Sequence, residues 1–347
     1  METAKRQGRR RRTAVLLLAG GVLLALFFVS LTLGRYPVPP FTVVRILWRR
    51  FLSLFRLTGP FTWTPQMENA VVSVRLPRIV MACLVGCSLA AAGTTFQGVF
   101  RNPMASPDIL GASSGAAFGA ALAILLGCSQ KYITVFAFLG ALLTVALVFL
   151  IAQRAPGLRT INLILAGIMI GSLFSAGTSY LKLVADPGNQ LPAITYWLLG
   201  SLSGTRLSVI PVAAIPMCVG LVPLLLLRWR LNLLSLGDSE AKALGVNTDL
   251  LRAVLILCAT LVTAAAIAVS GVIGWVGLVI PHLSRKLVGS DHRGLLPCSM
   301  LTGASFLLLV DDVSRNLLAT EIPIGILTAV IGAPFFIWLL LRKEKTL

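Results

Sequence analysis

Ten apolar runs dominate this sequence, and they restrict its fold more than any other feature. A helix that crosses a bilayer needs ~20 mostly apolar residues, and 57% of the 347 residues are apolar. Only 12% are charged, compared with about 25% in soluble domains. We therefore predict an all-α, polytopic membrane protein that forms a single transmembrane domain over residues 1–347. A soluble enzyme, a disordered chain and a disulfide-stapled secreted domain are excluded.

The ten runs predict ten transmembrane helices with both termini in the cytoplasm. The predicted spans cover residues 13–34, 78–99, 110–127, 132–153, 161–184, 207–227, 250–271, 272–287, 295–310 and 322–341. Basic residues favour the cytoplasmic side of a membrane, and this orientation places 19 of the 30 Lys and Arg residues there. The net charge of +18 thus reflects topology, and we predict no nucleic-acid partner.

Two segments outside the spans are strongly basic. Residues 1–12 form a predicted cytoplasmic tail. In the predicted extracytoplasmic segment 35–66, Val43 and Ile46 alternate with Arg45 and Arg49, a pattern typical of an amphipathic helix on a membrane surface. A solvated loop that touches lipid headgroups is the alternative interpretation, and a docking role for the arginines is a third.

Chemistry-bearing residues are few. The acidic residues nearest to the spans (Asp108, Asp311, Asp312 and Glu321) lie at span ends, whereas an ion-coupled carrier usually buries an ionisable group near the membrane midplane. The sequence lacks GxxxxGK[ST], so any ATP hydrolysis belongs to another chain. We predict no catalytic residues, no metal site, no cofactor and no structural disulfide.

Glycines four residues apart, such as Gly111 and Gly115, predict close helix packing.

The loop at residues 230–249 is the largest predicted cytoplasmic connection. Asp238 is a good helix cap, Glu240 suits a first turn and Gly245 suits a helix end. We therefore predict a helix of about two turns, in which Ala241 and Leu244 form one apolar face. A capped connector and a helix that binds a soluble partner are equally compatible with these signals.

Ten short stretches then identify a family resemblance. They are RLPR at 75–78, QGVFRNPMASP at 97–107, LGASSGA at 110–116, LAG at 165–167, YWLLGSL at 196–202, LGDSEAKALG at 236–245, GLVIPHLSR at 277–285, DHRGLLP at 291–297, EIPIGILT at 321–328 and GAPFF at 332–336. Because these stretches occur in this order, the chain resembles the permease subunits of binding-protein-dependent ABC importers for ferric siderophores, haem and cobalamin. The resemblance runs from the second span to the C-terminus.

This resemblance implies an assembly in the cell (cytoplasmic) membrane. Two permease subunits, identical or close paralogues, surround one pathway above a dimer of ABC ATPases, and a substrate-binding protein docks on the outer face. Arg75, Arg78 and Arg315 match arginines that meet acidic residues of that protein, where exposed charges steer docking. Interfacial anchoring is the alternative role for Arg75 and Arg78. Asp311 lies four residues before Arg315 and can pair with it on a helix.

The resemblance also implies a coupling helix and a gate. The residues that match the coupling helix, which seats in the ATPase, are Gly237, Asp238, Glu240, Ala241, Leu244 and Gly245. Thr160, Ile161 and Asn162 fall at a narrow cytoplasmic gate, although some relatives have a small hydroxyl residue in place of Ile161. The expected cargo is a ferric siderophore, with haem, cobalamin and molybdate as alternatives. An ion-coupled secondary transporter and a membrane enzyme are the competing classes.

Overall fold

The chain is mostly helical in the residues that the computed structural model describes, which are 2–53, 62–156 and 159–341. These residues contain fourteen α-helices and no strand. The helices are α1 (Glu2–Thr32), α2 (Pro40–Ser53), α3 (Pro65–Asn69), α4 (Leu76–Phe100), α5 (Ala112–Leu125), α6 (Gln130–Arg154), α7 (Arg159–Val184), α8 (Gln190–Leu198), α9 (Val209–Leu236), α10 (Asp238–Ala243), α11 (Thr248–Ser270), α12 (Val276–Val288), α13 (His292–Asn316) and α14 (Ile324–Leu341). A π-helical segment (Ala70–Arg75) joins α3 to α4, and a 3-10 turn (Pro107–Leu110) precedes α5.

Each of the ten predicted spans coincides with a helix. These are α1, α4, α5, α6, α7, α9, α11, α12, α13 and α14. Within the described part of the chain, seven helical stretches are long and apolar enough to cross a membrane, and α5 and α14 are shorter apolar helices. The all-α, multi-pass fold class is confirmed, whereas the cytoplasmic placement of both termini stays a prediction.

The eighth predicted span is shorter than its apolar run. It was predicted from residue 272, but α12 begins at Val276. Gly271 and Trp275 both have positive φ angles, of 67° and 68°, and such angles interrupt a right-handed helix. A positive φ angle strains Trp275 because, unlike glycine, it carries a Cβ atom. Its indole packs against Gly332 of α14. The apolar composition of 272–275 conceals this break from sequence analysis.

Helices α4, α11 and α13 form the centre of the bundle, and α1 lies at its edge. Leu17 and Leu18 of α1 are 72% and 69% exposed, as suits side chains that face lipid, whereas most of α4 is buried. Glycines allow the central helices to touch. A Cβ on Gly86 of α4 would overlap the backbone of Gly303 on α13, and one on Gly93 would overlap Gly277 on α12.

The predicted packing of the regularly spaced glycines is confirmed. A Cβ on Gly115 of α5 would overlap Gly140 and Thr144 of α6, while Gly111 approaches Gly171 of α7. Small residues at this spacing let helix backbones come close together. These glycines therefore pack helices within one chain.

The predicted amphipathic segment contains a helix, α2. Its residues Val43 and Ile46 are each 1% exposed and belong to the same buried cluster as Leu31 of α1 and Val71 of the π-helical segment. Residues 54–61 of the predicted segment, like residues 342–347, lie outside the described part of the chain.

Candidate functional site

Three arginines that are distant in sequence come together where α1 ends and α4 begins. Arg75 ends the π-helical segment, Arg78 lies in the first turn of α4, and Arg315 lies in the last turn of α13. They are only 4%, 7% and 8% exposed, so the expectation that they are exposed charges is wrong. Burial of a charge requires a partner: Arg78 and Arg315 pair with carboxylates, whereas Arg75 donates to backbone carbonyls. We name the six residues the arginine cluster: Arg75, Arg78, Asp311, Asp312, Arg315 and Glu321.

Arg78 is held by two carboxylates from different elements. Its Nε donates to Asp311 Oδ1 at 2.9 Å, and its Nη1 donates to Glu321 Oε1 at 2.8 Å. Asp311 is fully buried, whereas the side chain of Glu321 is 30% exposed. Arg78 Nη2 has no hydrogen-bond partner among the described residues. Arg78 therefore joins α4 to α13 and to the connection before α14, with one donor unused.

Arg315 joins α13 to the end of α1. The predicted pair with Asp311 is present, with Nε and Oδ2 3.8 Å apart, but Asp312 is the closer partner of the guanidinium. Arg315 Nη2 also donates to the carbonyl oxygen of Ser30 at 2.8 Å, and the hydroxyl of Ser30 donates to Asp312. Asp312 is thus an internal partner of Arg315 and Ser30.

Arg75 caps the C-terminal end of α1. Its guanidinium donates to the carbonyl oxygens of Leu31 at 2.8 Å and Thr32 at 3.2 Å, and to that of Tyr36. The last carbonyls of a helix have no partner within the helix, and a cation beside them is favourable. Gly34 makes room for this contact, because a Cβ there would lie 2.8 Å from the guanidinium.

The arginine cluster is therefore electrically balanced and fastens three helices together. Its three guanidinium charges equal its three carboxylates in number: Arg78 and Arg315 pair with the carboxylates, whereas Arg75 donates to backbone carbonyls. These contacts join α1, α4 and α13. Sequence reasoning found the arginines but did not find the roles of Ser30, Asp312 and Glu321. Only the pair of Asp312 and Arg315 could have been found from the sequence, because three residues separate them on one helix. The contacts of Ser30 and Glu321 with the arginines join residues more than 200 positions apart.

The predicted coupling helix exists as α10, which is shorter than expected. It has six residues with Gly237 at the N-cap position, and Gly245, with φ +78°, ends the turn that follows. Ala241 is fully buried while Leu244 is 62% exposed. The prediction of one shared apolar face is therefore wrong, because the helix ends before Leu244 and turns that side chain outward.

Helix α9, which leads into α10, is fastened to three other helices. Near its end, Asn232 Nδ2 donates to Asp291 Oδ1 at 2.7 Å, and the carbonyl of Leu234 accepts a bond from Arg101 Nε at 2.7 Å. Asp291 is the N-cap of α13 and pairs with Arg12 of α1 at 2.8 Å. The end of α9 is therefore tied to α13 and α1 and, through Arg101, to the end of α4.

The charge of Asp291 is stabilised in this arrangement. Partial burial acts to raise the pKa of its carboxyl, but hydrogen bonds from Arg293 N–H, Asn232 and Arg12 outweigh it and hold the pKa below its usual range. Asp291 is thus ionised at neutral pH, as a helix N-cap and ion-pair partner should be.

The predicted gate residues begin α7. Asn162 Nδ2 donates to the carbonyls of Ala155 at 3.0 Å and Pro156 at 3.2 Å, which fastens the start of α7 to the end of α6. Ile161 is half exposed, and Thr160 is partly buried. Ile161 is therefore the member of this group that presents a large side chain to open space.

Comparison with known proteins identifies the family to which the chain belongs. The sequence profile of the FecCD transport family matches residues 22–342. The chain belongs to the FecCD transport family. This assignment confirms the resemblance found in the ten sequence stretches, and it makes the chain a multi-pass subunit of the cell membrane.

Relatives in this family carry different cargoes. The molybdate import system permease protein MolB of Haemophilus influenzae is 44% identical over 315 residues, which cover 91% of each chain. A probable iron chelatin transport system permease protein of Helicobacter pylori is 43% identical over 274 residues, covering 79% of this chain and 83% of that one. A solved inward-facing structure of a metal-chelate type ABC transporter matches 94% of this chain and 99% of its own, with 42% identity and a TM-score of 0.83.

This FecCD chain is accordingly a permease subunit of an ABC importer. Its family implies partners of three kinds: an ATPase on a separate chain, a substrate-binding protein and a second permease subunit. The chain is a transport subunit rather than an enzyme, and ATP hydrolysis takes place on the ATPase.

Proposed function

We propose that this chain forms the membrane pathway of an ATP-driven importer for a ferric siderophore that a substrate-binding protein delivers. The observation that carries the proposal is the match to the FecCD transport family over residues 22–342, which includes the last third of α1 and nine of the ten predicted spans in full. The likeness of the whole fold to a metal-chelate type transporter supports the same class of cargo.

We infer that α7 lines much of the pathway. Its exposed side chains include Met169 at 62% and Leu173 at 65%, and the hydroxyl-bearing Ser172 and Ser179 are exposed as well. No charged residue lies between positions 160 and 181. An uncharged wall holds a large polar chelate weakly, so selection of the cargo rests with the binding protein.

We propose that α10 seats in the ATPase and transmits its movement. The exposed Leu244 gives this connection an apolar tip, whereas Ala241 keeps its other side packed against the bundle. The ties from the end of α9 to α13, α1 and Arg101 support a rigid response. When the ATPase pushes on α10, helices α9, α13 and α1 should therefore tilt as one body, and the connection around α10 should not simply bend.

We further propose that the arginine cluster receives an acidic group of the binding protein. Arg78 supports this role because it has an unused donor and because Glu321, its more exposed partner, can be displaced. The variant Glu321→Gln removes the competing charge and should tighten docking by up to about fivefold, the effect of one exposed ion pair. The gain should shrink at high salt. Unchanged or weaker binding at low salt, with unaltered thermal stability, would refute this role.

The Haemophilus influenzae relative favours molybdate as a second candidate cargo. It is 44% identical over 91% of both chains, compared with 43% for the iron chelatin relative described above. The two candidates differ in size and chemistry: a ferric siderophore is a large organic chelate, and molybdate is a small oxyanion.

Co-purification followed by ligand screening tests the function. The tagged permease should retain an ABC ATPase and a binding protein in detergent. Calorimetry on the binding protein then names the cargo among ferric siderophores, haem, cobalamin and molybdate. In proteoliposomes, that cargo should enter only with ATP hydrolysis. Uptake that continues without hydrolysis, and stops when an ion gradient collapses, would instead establish a secondary transporter.

A further inference from the structure

Helix α2 has two apolar faces, of which one is buried and the other is at least half exposed. Val43 and Ile46 form the buried face. The other face carries a stripe at spacings of three, four and three residues, which keeps its members on one side of a helix. The stripe consists of Phe41 (67% exposed), Val44 (54%), Trp48 (61%) and Phe51 (51%).

The stripe is an organised aromatic surface. The rings of Trp48 and Phe51 stack with centroids 5.8 Å apart, and the guanidinium of Arg45 lies over the ring of Phe41, 4.3 Å from its centroid. Large contiguous apolar patches on a protein surface mark an interaction site. Trp and Tyr in particular concentrate where a membrane meets water.

The position of α2 in the chain places it at such a boundary. α1 is a membrane span that ends at Thr32, and α2 begins eight residues later at Pro40. The buried face of α2 shares one cluster with Leu31, in the last turn of α1, and with Val38 in the connection. Since α1 must end near the edge of the hydrocarbon layer, α2 lies at the level of the headgroups.

The charge around α2 indicates which molecules cover the stripe. Residues 35–75 contain six arginines and a single acidic residue, Glu68. Glu68 already lies 3.9 Å from Arg49 and accepts a hydrogen bond from the indole of Trp63. Arg45 and Arg50 are exposed and have no carboxylate partner in the part of the chain that the structure describes. This surplus complements the phosphate of anionic lipids.

We propose that α2 is an interfacial anchor: the stripe enters the acyl region just below the headgroups, and Arg45 and Arg50 bind anionic phospholipid. A helix of this kind lies in the plane of the interface, with its apolar side ~5–10 Å deep. The anchor fixes the end of α1 and, through Arg75, the start of α4 relative to the membrane surface. This inference does not depend on the cargo or on the ATPase.

Fluorescence quenching of the full-length permease in lipid nanodiscs tests the proposal. The contribution of Trp48 is the difference between the wild type and Trp48→Phe, which keeps an aromatic ring. Bromine atoms near the headgroup end of the acyl chain should quench this contribution more strongly than bromine atoms near its middle. At equal mole fractions, brominated phosphatidylglycerol should quench it more than brominated phosphatidylcholine.

Matched variants separate the headgroup contact from burial of the stripe. The double variant Arg45→Gln/Arg50→Gln should lower the preference for phosphatidylglycerol by fivefold or more, since each cation near an anionic surface contributes a factor of about five. Arg206→Gln, an exposed arginine in the connection before α9, should leave the preference unchanged. The proposal is overturned if neither lipid quenches Trp48. It is equally overturned if Trp48 becomes shielded only when the binding protein or a second permease copy is added.

Discussion

Asp311 is the residue on which the arginine cluster depends. It is fully buried and lies between Arg78 and Arg315, with contacts of 2.9 and 3.8 Å. When one partner of a buried ion pair is removed, the other charge is left uncompensated at a cost of ~3–5 kcal/mol. Glu321 contacts the same Arg78, but it is 30% exposed, and partly hydrated pairs contribute only ~0–1 kcal/mol.

We therefore expect Asp311→Asn to destabilise the permease strongly and Glu321→Gln to destabilise it little. Thermal unfolding of both variants in the same detergent measures the difference. Both substitutions remove one negative charge beside Arg78, so net charge is matched and burial is the variable. Equal losses of stability would contradict the view that burial makes Asp311 indispensable.

At the scale of elements, backbone contact between glycines decides how α4 packs. Gly86 touches Gly303 of α13, whereas Gly20 of α1 has open space around it. Gly86→Ala should lower stability by ~1–3 kcal/mol, because the central helices must separate. Gly20→Ala should be neutral or stabilising, because alanine favours a helix. Thermal unfolding of the two variants provides the measurement, and a stable Gly86→Ala protein would show that the helices have room to move apart.

The turn after α10 allows a second comparison between matched glycines. Gly245 and Gly204 have φ angles of +78° and +76°, and a Cβ would meet nothing at either position. Alanine should therefore impose the same backbone strain of ~1–2 kcal/mol at both sites. If α10 seats in the ATPase, only Gly245→Ala should lower ATP hydrolysis that is stimulated by the loaded binding protein. Equal stimulated hydrolysis by the two variants would show that α10 does not couple the permease to the ATPase.

At the scale of the whole molecule, the helices at the ten predicted spans could be predicted because each contains a long apolar run. The break at 271–275 could not, since glycine and tryptophan there are as compatible with a span as with a turn. The partners of the arginines were hidden for a different reason: contacts such as Arg78–Glu321 join residues 243 positions apart, and spacing indicates neighbours only within one helix. Asp311–Arg315 was predictable because it lies within that range.

Both ends of α4 are bonded to other helices, which gives a route between the arginine cluster and α10. At one end, Arg78 binds α13 and the connection before α14. At the other end, Arg101 reaches the carbonyl of Leu234, two residues before the end of α9. We therefore expect motion of α10 to pass through Arg101 along α4 to the arginine cluster. Chains of packed helices and hydrogen bonds carry coupling between distant sites in many proteins.

Arg101→Ala should accordingly weaken communication without preventing assembly. The ATPase should still co-purify and hydrolyse ATP at its basal rate, while stimulation by the loaded binding protein falls severalfold. Arg101 has a positive φ of 50°, so alanine alone could act through backbone strain. Arg101→Gly removes the same hydrogen bond but relieves that strain, and it should lose stimulation to the same extent. If Arg101→Gly retains full stimulation, backbone strain explains the alanine variant and the path does not run through this hydrogen bond.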